Sequence, residues 1–348
     1  MTAADPDRVL LVRLGAVGDV VRTLPALRWI RRTWPAARIG WAVERGPAPL
    51  LRGHPDLDEL LVFDRPRPAW RAAGPARAFL RQVAGFAPAL SLDFQASFKS
   101  GLVAWWSGAA TRAGFDRAAG REASHLFANL RVPLPDPRVH RVERALALAR
   151  AAGARPGPVE ADLALLPAEV ESGRALVAAH AGGRTAVALS PFSSRRQAWK
   201  RYPLERWAEV ARGLAGSGCH VLVLGGPGEE VDARELCARA GAGACAATDL
   251  GLRELAAVLG AVDLAVSGDT GPMHLASAAG TPVVAIYGPT DPVLNAPYGA
   301  GHVVLAPARP TGRGDADRFP GITPELIVRR ALERLSGATA PRHVGRPT

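Results

Sequence analysis

Residues 264–292 read LAVSGDTGPMHLASAAGTPVVAIYGPTDP. Leu264–Ser267 is an apolar run of strand length that ends on small residues. Pro272–Ala279 has helical spacing, and Pro272 suits a first helical turn, where its missing N–H would have no intrahelical partner anyway. Val283–Tyr287 is a second short apolar strand. A strand that returns parallel to its predecessor needs such a crossover helix, so the stretch reads as one β-α-β unit. The same alternation extends upstream, with strands predicted at Ala186–Leu189 and His220–Leu224 and helices at Leu204–Ala215, Glu229–Ala240 and Leu252–Leu259. It also occurs a first time near the N-terminus. Val9–Leu14, Ile39–Val43, Leu60–Phe63 and Ala89–Leu92 read as strands there, and Asp19–Thr33, Pro75–Gly85, Phe98–Trp106 and His140–Ala152 as helices. Two successive alternations predict an α/β protein with two Rossmann-like doubly wound parallel sheets. Gly153–Pro167 has the turn composition of a linker. The expected domains are therefore 1–160 and 168–336, with a helix at Pro324–Leu335 and a Pro/Gly/Arg tail, 337–348, expected to be disordered. Sheets of this kind bind ligands at the carboxyl ends of their strands, which predicts a site in a cleft between the domains.

Composition narrows the function classes. Of 348 residues, 48% are hydrophobic and 22% charged, enough for a large core and too apolar for wholesale disorder. No apolar run approaches the ~18 residues of a membrane helix. The first twenty residues hold Asp5, Asp7 and Arg8 where a signal peptide would be apolar, and a cytoplasmic protein is expected. Cys219, Cys237 and Cys245 form no Cys-x-x-Cys and no His-Cys ligand spacing, so they read as reduced thiols; no metal ligand is named. The net charge of +11 is uneven: residues 1–150 carry 23 Lys and Arg against 13 Asp and Glu, and residues 151–348 carry 20 against 19. Codon bias acts on the whole chain and does not explain that asymmetry. A basic first half predicts an anionic partner or an anionic membrane surface. Only Lys99 and Lys200 are lysines among 43 basic residues, a hint that those two positions use a compact ammonium.

Four strand-to-helix loops carry candidate chemistry. Leu14-Gly15-Ala16-Val17-Gly18-Asp19 is neither a dinucleotide fingerprint nor a P-loop. Asp19 reads either as an acidic residue that favours a helix N-terminus or as an ionised carboxylate placed to act as general base. Glu44, at the end of the second strand, occupies a ribose-ligand position, but the absent glycine fingerprint disfavours that role. Ser190-Pro191-Phe192-Ser193-Ser194, followed by Arg195, Arg196, Lys200 and Arg201, reads as a diphosphate-binding loop or as a solvated basic loop. In Leu224-Gly225-Gly226-Pro227-Gly228-Glu229-Glu230 the two acids would repel phosphate, so the loop suits ribose or base contacts, or else helix-dipole compensation. In Val266-Ser267-Gly268-Asp269-Thr270-Gly271-Pro272-Met273-His274 the amides of Thr270 and Gly271 lie at a positive helix end that suits a departing pyrophosphate. His274 either faces that end or is structural. Tyr287-Gly288-Pro289-Thr290-Asp291-Pro292 ends the next strand.

Three stretches together, RLGAVGDVVRTLPAL (13–27), KRYPLERW (200–207) and SGDTGPMHLASAAGTPVVAIYGPTDP (267–292), resemble the ADP-heptose:lipopolysaccharide heptosyltransferases of glycosyltransferase family 9. The resemblance runs from about residue 8 to 335. It implies a GT-B fold, with the acceptor on the first Rossmann-like domain and the nucleotide sugar on the second, and an inverting, metal-independent transfer that uses no cofactor. Position by position, it implies Asp19 as catalytic base and Lys200 on the donor phosphates. Ser194, Asp269, Thr270, Gly271 and His274 fall in the donor loops, and Glu229 or Glu230 matches the acidic adenosine ligand. On the acceptor side, Asp93-Phe94-Gln95 with Lys99 and Ser100, and Gly120-Arg121-Glu122, match more loosely. Residues 305–322 lack the cysteine-bearing insert of some members.

The resemblance implies a single displacement in which Asp19 deprotonates an acceptor hydroxyl as it attacks the anomeric carbon. Lys200 and the Thr270–Gly271 amides would stabilise the leaving diphosphate. ADP-heptose is the expected donor and an anionic glycolipid or glycan the expected acceptor. The basic first half suits an acceptor reached at the cytoplasmic face of the inner membrane, with Arg28, Arg31, Arg32 and Lys99 as candidate contacts. Trp105 and Trp106 read as core or a sugar platform, with an interfacial contact as the other reading. A family-9-like transferase with a different donor or acceptor, and a nicotinamide oxidoreductase, are the alternatives. A nucleic-acid binder fits the sequence less well: no recognisable module is present and the excess charge is confined to one half.

Overall fold

In the computed structural model, which describes residues 5–65 and 73–337, the chain divides into two units, Met1–Ala164 and Leu165–Thr348. The first runs β1 (Arg8–Val12), α1 (Val17–Thr33), β2 (Arg38–Glu44), β3 (Glu59–Phe63), α2 (Ala73–Phe86), β4 (Leu90–Asp93), α3 (Phe98–Trp106), β5 (Thr111–Phe115), β6 (Leu130–Val132) and α4 (Arg141–Ala151). The second runs α5 (Pro167–Ala181), β7 (Ala186–Ser190), α6 (Leu204–Gly216), β8 (His220–Leu224), α7 (Glu230–Ala240), β9 (Ala244–Ala247), α8 (Leu252–Ala261), β10 (Leu264–Gly268), α9 (Gly271–Ala278), β11 (Val283–Ile286), α10 (Pro292–Asn295), β12 (Val303–Leu305) and α11 (Pro324–Leu335). The tail expected to be disordered lies, from residue 338, outside the described residues.

Each unit contains one six-stranded sheet, in the orders β3-β2-β1-β4-β5-β6 and β12-β11-β10-β7-β8-β9. Every strand pair is parallel. Renumbered within its own unit, the second order is the first one again, so both are the doubly wound arrangement of Rossmann-like folds. The central strands read as unbroken apolar runs because helices cover both faces of a parallel sheet. Val9 to Val12 are fully buried, as are Val221 to Val223 and Val283 to Ala285. In each sheet the strand order reverses once, between β1 and β4 and between β7 and β10. In open sheets of this kind ligands bind at the carboxyl ends of the strands where the order reverses.

The division between the units falls inside the turn-rich segment after α4, and the start of that segment is tied to the first unit: Trp29 Nε1 donates to Gly157 O at 3.0 Å, and the Arg155 N–H donates to Thr33 Oγ1 at 2.7 Å. Its last residue, Pro167, opens α5, a helix that the composition of its neighbourhood concealed. Gly173 explains how α5 packs: a Cβ there would lie 2.6 Å from the backbone of Ala257 in α8. The strands β5, β6, β9 and β12 also escape the sequence reading, because each is only three to five residues long.

Candidate active site

In the first unit, the β1 loop and the β4 loop meet at the switch point. Arg13 Nη1 donates to Phe94 O at 2.6 Å, and the Leu14 N–H donates to Gln95 Oε1 at 2.9 Å. Asp19 stands in the first turn of α1, at the third helical position, and its Oδ2 accepts from the Ala16 N–H at 3.4 Å. It therefore does the capping work expected of an acid there. Its Oδ1 carries much more: Arg13 Nη2 lies 2.6 Å away and Arg22 Nη2 2.5 Å. Burial alone would raise the Asp19 pKa, but the guanidinium groups of Arg13, Arg22 and Arg141 outweigh it and hold the carboxyl well below the usual range. The carboxylate is thus ionised at every physiological pH and oriented by two cations, with its side chain still 27% exposed.

Asp93, at the end of β4, is the opposite case. Burial pushes its pKa up to about 6, although the Ser100 hydroxyl and the Ala96 and Gln95 N–H groups favour the charged form. Those two amides reach its Oδ1 at 3.0 Å each. The two acceptor-side motifs come together here: the Arg121 N–H donates to Ala96 O at 3.1 Å, and Glu122 Oε2 accepts from the Phe98 N–H at 3.3 Å. Lys99, Arg121 and Glu122 are exposed. Ser100 is fully buried, and its hydroxyl closes the α3 capping box with Ser97, accepting from the Ser97 N–H at 3.0 Å. Its position gives it a structural job within the loop.

The basic groups that gather around Asp19 are not those picked from the sequence. Arg28 binds both oxygens of Asp56 at 3.1 Å, Arg31 pairs with Asp58, and Arg32 lies 3.6 Å from Glu160. Acids of their own unit therefore engage these three, which the sequence offered as partner contacts. The cations with Asp19 or Asp93 in their field are Arg13, Arg22, Arg141 and Arg144, and Arg121 lies near the last two. Burial and the neighbouring Arg141, Arg121 and Arg13 lower the Arg144 pKa to about 10; its guanidinium sits 3.9 Å from the Phe115 ring centroid and donates to Ala119 O at 2.6 Å. Arg141 and Arg144 lie one turn apart on α4 (i, i+3), a spacing that could have flagged them. The core reading of Trp105 and Trp106 also fails. At 52% and 46% exposed, they stand out on α3 with their rings edge to face, and Phe98 is 50% exposed on the same helix.

In the second unit, the loops after β7, β8 and β10 supply the candidate donor residues. Lys200 ends the 3-10 turn Arg195–Lys200, and its Nζ lies 3.4 Å from Asp269 Oδ2, with each side chain 11% exposed. Thr270 is the N-cap of α9 and makes no side-chain capping bond; its hydroxyl meets Ser267 Oγ at 3.2 Å instead. The N-terminal end of a helix suits an anion. His274 is buried in that helix. Arg201 Nη2 pairs with Glu229 Oε1 at 2.7 Å, while Glu229 Oε2 accepts from the Gly226 N–H at 3.0 Å. Glu230 accepts from the Gly228 N–H at 2.8 Å. Ser194 is exposed. Gly288, after β11, is fixed by packing: a Cβ there would lie 2.2 Å from Arg318 O. Away from these loops, the fold gathers a cluster that no spacing predicted, in which His180, His220 and Cys245 hold their ligating atoms within 4.8 Å of one another.

The chain thus has two doubly wound units, one presenting an oriented carboxylate and the other a helix N-terminus beside a lysine. A profile of glycosyltransferase family 9 (heptosyltransferase) matches residues 77–312. Lipopolysaccharide heptosyltransferase 1 of Escherichia coli K12 is 30% identical over 317 residues, covering 87% of this chain and 94% of the relative. An E. coli heptosyltransferase solved with ADP superposes with a TM-score of 0.76 at 28% identity, covering 94% of this chain and 99% of that one. An E. coli heptosyltransferase solved with ADP-2-deoxy-2-fluoro heptose gives a TM-score of 0.74 at 28% identity, with the same coverage. The chain belongs to glycosyltransferase family 9 and has the GT-B architecture.

Proposed function

We propose that this glycosyltransferase moves heptose from ADP-heptose to a lipopolysaccharide-core or related glycan acceptor, with inversion at the anomeric carbon and without a metal. The observation that carries the reading is Asp19, held by Arg13 and Arg22 through one oxygen while the other turns to the N–H of Ala16. A carboxylate held this far into its ionised form is a weak base towards a resting alcohol. It suits a late proton transfer: the acceptor hydroxyl becomes strongly acidic only as its oxygen bonds to the anomeric carbon, and the proton then passes to Asp19. On the donor side, Lys200 and the first-turn amides of α9 supply positive charge where the diphosphate gains negative charge as it leaves. Asp269 holds the lysine in place until the donor arrives. Glu229, braced by Arg201, is the better placed of the two glutamates to meet the nucleoside. The names of the relatives support heptose and ADP.

The expected acceptor is anionic and faces the basic set around Asp19, together with Lys99, Arg121 and Glu122. Among the described residues no helix is long and apolar enough to cross a membrane. The exposed Phe98, Trp105 and Trp106 on α3, beside Lys99, suit peripheral contact with the cytoplasmic face of the inner membrane. Asp19→Asn tests the reading directly. It is expected to lower kcat by about 10²–10⁴-fold and to leave the calorimetric Kd for the donor within about twofold of the parent. Turnover near that of the parent would end the assignment of Asp19. A panel of nucleotide sugars tests the donor separately: a family-9 transferase with another sugar would retain the Asp19 effect and prefer a different donor.

A further inference from the structure

We propose that His180, His220 and Cys245 form a binding site for a zinc-like divalent cation, independent of sugar transfer. His180 lies in the last turn of α5, His220 opens β8 and Cys245 lies in β9. Three elements far apart in sequence thus converge on one point. His220 Nε2 is 3.3 Å from Cys245 Sγ, and the two imidazole rings are stacked at 12° with centroids 6.3 Å apart. Zinc bonds to nitrogen at ~2.0–2.1 Å and to sulfur at ~2.3 Å, so a tetrahedral ion holds its ligands roughly 3.3–3.8 Å apart. The His220–Cys245 edge already has that length. His180 is exposed on a helix end and has roughly 1–1.5 Å at most to close. Two imidazoles and a thiol select zinc over magnesium or calcium, which take oxygen donors. A water would complete the fourth position.

The site is remote from the transfer chemistry. His220 stands at the amino end of β8, whereas the donor loop leaves the carboxyl end at Leu224, about 13 Å along the strand. A cation there would clamp the end of α5 to the β8–β9 edge of the sheet. Arg184 sets its affinity. An arginine only donates, so its contact at 2.8 Å makes His220 Nδ1 the acceptor and puts the ring proton on Nε2, aimed at Cys245 Sγ. Coordination through Nε2 moves that proton to Nδ1, where arginine offers it no acceptor, and the Cys245 thiol gives its proton to solvent as the metal–sulfur bond forms. A glutamine at 184 removes the positive charge and the donor aimed at Nδ1.

Cobalt(II) titration of the full chain, stripped with a chelator and kept reduced, tests the proposal. One cobalt per chain is expected, with a thiolate-to-metal absorption and the intense visible bands of a four-coordinate ion, and equimolar zinc should displace it. Cys245→Ser should abolish the thiolate absorption, and His180→Gln, at an exposed position, should weaken binding about 10–100-fold. Arg184→Gln should tighten binding about tenfold. The Cys219→Ala/Cys237→Ala double variant should keep the spectrum, since it leaves Cys245 as the sole thiol. Absence of cobalt binding, or a thiolate absorption that survives Cys245→Ser, would overturn the site.

Discussion

At the scale of single residues, two aspartates that share Arg13 as a charged neighbour are driven in opposite directions by their surroundings. Asp19 meets three guanidinium groups and stays ionised; Asp93, on the buried end of β4, has its pKa raised to about 6. A carboxyl whose folded pKa exceeds its unfolded value of 3.8 stabilises the fold most when protonated, below about pH 4. That contribution is lost as pH rises through about 6. Above pH 7 the ionised Asp93 therefore costs of the order of 1–3 kcal/mol. Asp93→Asn keeps an oxygen for the Gln95 and Ala96 amides and turns its NH₂ toward the Ser100 hydroxyl. Calorimetry is expected to show a higher Tm than the parent at pH 7.5 and a difference near zero at pH 4; a lower Tm at both would show that the negative charge itself is needed. Sequence alone identified Asp19 as a candidate, because an acid in the first turn after a strand is a local signal. Arg22, three residues on along the same helix, was a local neighbour, but Arg13 from the β1 loop and Arg141 from α4 reach that acid only when the sheet is assembled.

At the scale of elements, α5 and α9 show how packing and termini take over from composition. α5 begins in a stretch rich in proline and glycine and is held by α8, with Gly173 against the Ala257 backbone and the Arg253 guanidinium on both oxygens of Glu169. Because the obstacle at Gly173 is backbone, a methyl group cannot be accommodated by a rotamer change. Gly173→Ala is expected to lower the urea-unfolding free energy by about 1–3 kcal/mol, with the donor Kd unchanged in the folded fraction. An equally stable variant would mean that α5 and α8 slide freely. In α9 the informative feature is the unused cap: Thr270 turns its hydroxyl to Ser267 and makes no capping bond. The spacing Gly271-Pro272 announced that end in the sequence, whereas the inward turn of Thr270 needed the structure.

At the scale of the whole molecule, the charge asymmetry belongs to the first half of the chain, and within it the α1 cations Arg28, Arg31 and Arg32 are spent on Asp56, Asp58 and Glu160. Other cations of this half include the set near Asp19 and Lys99 on α3. Full-length protein is expected to sediment with vesicles containing anionic lipid and not with neutral ones, and to lose that binding as salt shortens the Debye length from ~10 Å at 0.1 M to ~3 Å at 1 M. Trp105→Ser/Trp106→Ser should reduce the binding at least about tenfold while leaving turnover on a short soluble acceptor intact; unchanged sedimentation would remove α3 from the membrane reading. The sequence by itself determined the alternation of strands and helices, and with it two doubly wound sheets, because hydrophobic period and turn residues are local properties of the chain. It also determined the family, through three short stretches whose glycines, prolines and acids stand at fixed spacing. Only the tertiary structure decided which charges meet: that Arg28 and Arg31 are neutralised nearby, that Ser100 is a cap, that the tryptophans are outside, and that His180, His220 and Cys245 share one point. Charge pairing and ligand geometry depend on distances between residues tens of positions apart, and those distances are set when the sheets form.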